Sequence, residues 1–242
     1  MSEEDRLAQA LEAVAAAHFD ATGSACDYAA LAESRERREL ASCLAALEGF
    51  DSKRLSIPAQ TALWLNAYNA CVLRDAGELG GERFFERQRA RIAGHDWSLD
   101  DIEHGLLRGN VPKYGALRAP MRKSDPRLAY MPITFDERVH FAMFSACRSS
   151  PPLRVLHGGR LDVELEAAAR DYVRRTVRVK DEGARIKVPK IFLWYADDFG
   201  GESGVLEFVV ARLDDASVEI IDRRQGNVRL KYLEFDWALN QR

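Results

Sequence analysis

The amino-acid sequence predicts an α+β fold: one helix-rich domain spanning 1–242, with a small, mostly antiparallel sheet. Two observations carry that prediction. Segments of helical composition and spacing fill most of the first third and return after residue 160. Runs with strand character are few and short. With 242 residues, 47% of them hydrophobic, the chain is long enough to bury one sizeable core.

The first 55 residues read as a helical N-terminal part. Glu3–Phe19 has helix-forming composition, and Asp27–Leu47 places Tyr28, Leu31, Leu40, Leu44 and Leu47 at mostly helical spacing. Gly49-Phe50-Asp51-Ser52 breaks the pattern. A third helix starts near Pro58, a proline suited to a first turn, and runs to about Ala76. Its TALWLNAYNACVL segment is apolar nearly all round, the mark of a buried helix. Asn66 and Asn69 lie inside it, and buried amides must be hydrogen-bonded, so they clamp a loop or line a cleft.

Gly77–Arg91 reads as a connection or short helix. Ser98-Leu-Asp-Asp101 matches a capping box ahead of a helix over Leu99–Arg108. Gly109–Ser124, with Asn110, Pro112, Gly115 and Pro120, is a long surface loop. Tyr130–Phe135 and Val139–Phe144 are strand candidates, the second equally open to a helix. Leu161–Val177 is a helix, Arg185–Val188 a short strand, and Pro189 opens a helix through Tyr195. Ser203–Leu213 is again helical. Val218–Ile221 and Val228–Glu234 are late strands around a Gln225-Gly226-Asn227 turn.

Composition narrows the function. A formal net charge of -3 argues against a nucleic-acid partner. No apolar run approaches the roughly 20 residues of a membrane span, and the acidic start MSEEDRL is unlike a signal peptide, so no membrane partner and a cytoplasmic location are expected. Cys26, Cys43, Cys71 and Cys147 are spread widely with no C-x-x-C pair, against a zinc knot, redox pair or disulfide framework. His95, Asp96, Asp100, Asp101 and His104 lack paired-histidine spacing, so no metal is expected. The chain has no phosphate-binding loop or dinucleotide fingerprint, and no cofactor is expected.

Two features point to chemistry. On a helical wheel of about 100° per residue, Leu99, Ile102 and Leu106 form an apolar stripe, with Asp101, His104 and Arg108 opposite. Glu103 falls within the apolar arc, where a carboxylate needs donors or a cation. The second feature is the Val139-His-Phe-Ala-Met-Phe-Ser-Ala-Cys-Arg-Ser-Ser-Pro-Pro152 segment. Histidine activates hydroxyls and thiols when a third group orients it, and Glu103 is a candidate for that group. His140 precedes Ser145 and Cys147 closely. A helix would keep it from direct contact with Cys147, whereas a strand ending near Phe144 would let the chain turn back.

Five segments occur in a familiar order: Trp64-Leu-Asn-Ala-Tyr-Asn-Ala70, Trp97–Arg108, Asp136-Glu-Arg-Val-His-Phe-Ala142, Pro189–Tyr195 with Asp198-Phe-Gly200, and Asp236-Trp-Ala-Leu-Asn240. Together they resemble the domain of unknown function 547 family over a core of about 59–240. The resemblance implies a cysteine-hydrolase-like site, with His140 as base and Glu103 as its orienter. It also implies cysteines where this chain has Ser145 and Ser150, the nearest thiol, Cys147, being displaced by two residues. The expected function is a hydrolase or acyl-transferase-like domain acting on a small molecule or peptide, with Ser145 or Cys147 as nucleophile and Asn66, Asn69 and Ser150 supplying binding contacts. The alternative is an inactive member that serves as a small-molecule or peptide binding module.

Overall fold

The computed structural model describes residues 2–80, 83–132, 134–224 and 228–242. Within it the chain forms two compact units, Met1–Leu165 with Trp237–Arg242, and Glu166–Asp236. The fold class is α+β, with a two-stranded antiparallel sheet in the first unit and a three-stranded mixed sheet in the second.

In the first unit, α1 (Glu3–His18) starts from a capping box made by Ser2 and Asp5 and buries Leu7, Leu11 and Val14. The segment expected as one helix over Asp27–Leu47 is two, α2 (Tyr28–Ala32) and α3 (Arg35–Ala46). The reason is local: the Ser34 hydroxyl accepts from Arg37 N at 3.0 Å and starts a new helix. The central helix α4 (Ile57–Arg74) carries its proline in the first turn, and every residue from Thr61 to Leu73 is buried. Trp64 packs on Trp97 with ring centroids 4.7 Å apart.

The connection expected over Gly77–Arg91 ends in a hairpin, β1 (Gln88–Ile92) with β2 (His95–Ser98). Its two-residue turn, Ala93-Gly94, has positive φ at both positions (54 and 75), as a right-twisted hairpin demands. The strand was hidden because one inward residue is Arg89. Its guanidinium donates to Phe84 O and pairs with Glu78 at 2.9 Å.

The capping box at Ser98 and Asp101 forms as expected, each backbone N–H donating to the other side chain at 3.0 Å. It opens a π-helical turn, Asp101–Leu107, in place of the expected α-helix. The wider turn moves side chains off an ordinary wheel, so His104 and Arg108, expected on the polar face, are buried beside Glu103. The loop after it is irregular and mostly exposed.

No strand forms at Tyr130–Phe135 or Val139–Phe144 among the described residues, Ile133 lying outside them. A 3₁₀ turn, Pro126–Tyr130, ends where the first was expected to begin and irregular chain follows it, while a second 3₁₀ turn, Glu137–Phe141, takes the start of the other. Each is started by the same device. Asp125 and Asp136 accept from the backbone two residues on, and Arg127 and Arg138 reach back to pair with those carboxylates.

Helix α5 (Leu161–Thr176) leads from the first unit into the second. There β3 (Arg178–Lys180), β4 (Arg185–Pro189) and β5 (Arg229–Leu233) lie in that order, β4 antiparallel to β3 and parallel to β5. Helices α6 (Ile191–Trp194), α7 (Glu202–Val210) and α8 (Asp215–Asp222) run between β4 and β5. The strand expected at Val218–Ile221 lies within α8, because Asp214 caps that helix by accepting from Ser217 N at 2.9 Å. A parallel pairing needs a long crossover, which these helices supply. The turn expected at Gln225-Gly226-Asn227 lies outside the described residues.

Candidate active site

Helix α4 organises the candidate site through three polar residues within one turn. Tyr68 Oη donates to Glu103 Oε2 at 3.2 Å, so the carboxylate singled out by its apolar surroundings is buried with a donor. Asn69 holds the segment between His140 and Ser145. Its Oδ1 accepts from Phe144 N at 2.8 Å, and its Nδ2 donates to Ala142 O at 2.9 Å and to Arg154 O at 3.2 Å. Asn66 clamps the next stretch, donating to Leu156 O at 2.8 Å and accepting from Leu156 N at 3.0 Å. These amides set the path of the backbone from Ala142 to Leu156.

His140 is buried within the 3₁₀ turn, its ring edge-on to Phe135 at 6.3 Å. Beyond the Asn69 clamp the chain makes a tight turn in which Ala146 is left-handed, φ 55. That turn gathers three of the expected residues. Ser145 N donates to Ser150 Oγ at 2.8 Å, Ser145 Oγ lies 3.3 Å from Cys147 Sγ, and Ser150 Oγ donates to Pro151 O at 2.9 Å. Ser150 thereby closes the turn. Ser145 is half-buried, while Cys147 is 1% exposed.

The 237–242 segment straps this turn from the far side. Arg148 N donates to Ala238 O at 2.9 Å and Asn240 N to Ala146 O at 3.2 Å. The strap's other edge pairs with Cys26, whose N–H donates to Asn240 O at 3.0 Å. Tyr28 Oη donates to Asn240 Oδ1 at 2.6 Å, and Asn240 Nδ2 to Ser24 O at 2.7 Å. Burial, with Cys26 and Cys147 nearby, pushes the Tyr28 hydroxyl above its ordinary range, so it stays a protonated donor. Sequence reasoning missed Tyr28 and Asn240 as partners. They are 212 positions apart, and no local pattern connects them.

The acidic cluster weighed as a metal site is held by cations. Asp100 pairs with Lys113 at 2.7 Å and Asp101 with Arg127 at 2.8 Å. Arg108 Nη1 donates to His104 Nδ1 at 2.9 Å, which sets that nitrogen as an acceptor. Among the described residues no three of His, Cys, Asp or Glu converge to hold a metal ion. No described helix is long and apolar enough to cross a membrane.

The model of a family described as "Protein of unknown function, DUF547" matches residues 52–173. That span contains Asn66, Asn69, Glu103, His140, Ser145, Cys147 and Ser150, and with them the α4 clamps and the whole Ser145 turn. Neither the curated proteins nor the solved structures yield a match. Of the five segments that carried the resemblance, those around Trp64, Trp97 and Asp136 fall inside the matched residues and those around Pro189 and Asp236 fall outside them. With half of the chain matched, the chain belongs to the DUF547 family.

Proposed function

We propose that this protein is a hydrolase or acyl-transferase-like domain with a Glu103-His140-Ser145 site. Its substrate is a small molecule or peptide carrying an acyl group, met in the cytoplasm. The observation that carries the reading is the Ser145 turn: a half-buried hydroxyl on a pinned, left-handed turn, five residues after a buried histidine.

Ser145 Oγ adds to the substrate carbonyl carbon while His140 takes the hydroxyl proton. Collapse of the adduct expels the leaving group, which leaves with that proton. Water, giving its proton to His140, then releases the acid and restores the serine; in a transferase an acceptor nucleophile replaces water. Glu103 orients the imidazole. The Ser145 N–H is held by Ser150 and so is not free to serve as an oxyanion donor. Serine is preferred over Cys147 because burial keeps the thiol from substrate.

A fluorophosphonate probe tests the reading. The wild-type chain should be labelled at Ser145, Ser145→Ala should not, and His140→Ala should slow labelling by roughly 10²–10⁴-fold. In parallel, Ser145→Cys should gain fast alkylation that His140→Ala removes. An unlabelled wild type, together with a Ser145→Cys thiol indifferent to His140, would leave a binding module in place of an enzyme.

A further inference from the structure

Residues 109–124, GNVPKYGALRAPMRKS, contain four cations and no aspartate or glutamate. The loop is built to project. Asn110, left-handed at φ 59, closes its base by donating to Met121 O at 3.0 Å and accepting from Met121 N at 3.1 Å. Val111 N donates to His104 O at 3.1 Å and Arg108 Nη1 to Pro112 O at 3.2 Å, tying one end to the π-helical turn. The other end is seated by the buried Met121 side chain against Gly105. Between those anchors stand Leu117, 98% exposed, and Tyr114, 61% exposed.

The neighbouring acids are engaged: Glu86 and Asp100 by Lys113, Asp101 and Asp125 by Arg127. Arg118, Arg122 and Lys123 are exposed and form no ion pair among the described residues.

We propose that this loop docks the protein on an anionic lipid bilayer. Leu117 and Tyr114 enter the interface, and Arg118, Arg122 and Lys123 meet the phosphate-bearing headgroups. Size decides between a bilayer and a protein partner. A stable protein interface buries about 800 Å² on each side around a packed centre. A bilayer needs only shallow entry of a few apolar side chains beside cations. Attachment is peripheral and reversible, as two apolar side chains and three charges allow.

The test is co-sedimentation of the full chain with phosphatidylcholine vesicles, alone or carrying roughly a third phosphatidylserine. Binding should appear only with phosphatidylserine and weaken as salt rises. Changing Arg118, Arg122 and Lys123 together to serine should weaken it by about 100-fold, at about fivefold per charge. Leu117→Ser should cost about tenfold or more. All four side chains are exposed, and circular dichroism checks that the variants fold. Absence of binding to either vesicle overturns the proposal, and so does phosphatidylserine binding that survives all four changes. Binding to polyglutamate without vesicle binding would assign the loop to an acidic polypeptide and overturn it equally.

Discussion

Asn69 satisfies three backbone groups from one side chain, Phe144 N, Ala142 O and Arg154 O. Asn69→Ala strands them in a buried site, where each unmade bond costs about 1–3 kcal/mol. A loss of about 3 kcal/mol or more is expected, read as a lower urea midpoint. Asn66→Ala, which frees only the two groups of Leu156, should cost less, about 2 kcal/mol by the same reasoning. Equal costs would mean that the Ala142–Phe144 segment does not depend on Asn69. The need for some clamp was legible in the sequence, because two amides sat in an all-apolar helix. Their partners were not legible, since they lie 73 to 90 positions away.

Elements meet in this fold where backbones come close, and Gly158 marks one such place. A Cβ added to Gly158 would fall 2.6 Å from Ala59 Cα, at the start of α4. Gly158→Ala should therefore destabilise by about 1–3 kcal/mol through overpacking. Gly159→Ala, with open space around its Cβ position, should change the thermal midpoint little and serves as the control. The strap makes a second prediction at this scale. Ending the chain after Asp236 removes one backbone bond each to Ala146 and Arg148, two to Cys26, and the Asn240 side-chain bonds to Tyr28 and Ser24. At about 1 kcal/mol for each net bond, a loss of roughly 6 kcal/mol is expected in urea denaturation. Faster amide exchange around Ala146 should accompany it, and unchanged exchange would show that the turn holds itself.

Across the molecule, the cysteines connect burial to pH. All four are buried and stand outside any disulfide. Burial pushes the Cys26 thiol up to about 12, helped by Asp27, and burial likewise pushes Cys71 up to about 12. In the unfolded chain these thiols ionise at their ordinary pKa, near 9. Raising pH above about 9 therefore favours the unfolded state, while below it the contribution is whole. Between about pH 9 and 12, stability should fall by about 1.4 kcal/mol per pH unit for each thiol. Urea midpoints from pH 8 to 11 should decline less steeply in Cys26→Ala/Cys71→Ala, although that variant starts lower. Parallel slopes would show that other groups govern the alkaline limit.

By itself the sequence determined the α+β class, the helices of strong periodicity and the buried state of Glu103. Period and capping act within a few residues, so α1, α4 and α5 were readable along with the Ser98–Asp101 box. Tertiary structure decided the rest. A buried Arg89 broke the alternation of β1, so only its partners Phe84 and Glu78 explain why it is a strand. Aspartate caps at Asp136 and Asp214 outweighed strand composition in the residues after them. The turn that presents Ser145 beside Cys147 rests on Asn69, Ser150 and the 237–242 strap. Those contacts join parts of the chain that no local pattern relates, because hydrogen-bond partners are chosen by where the folded backbone passes.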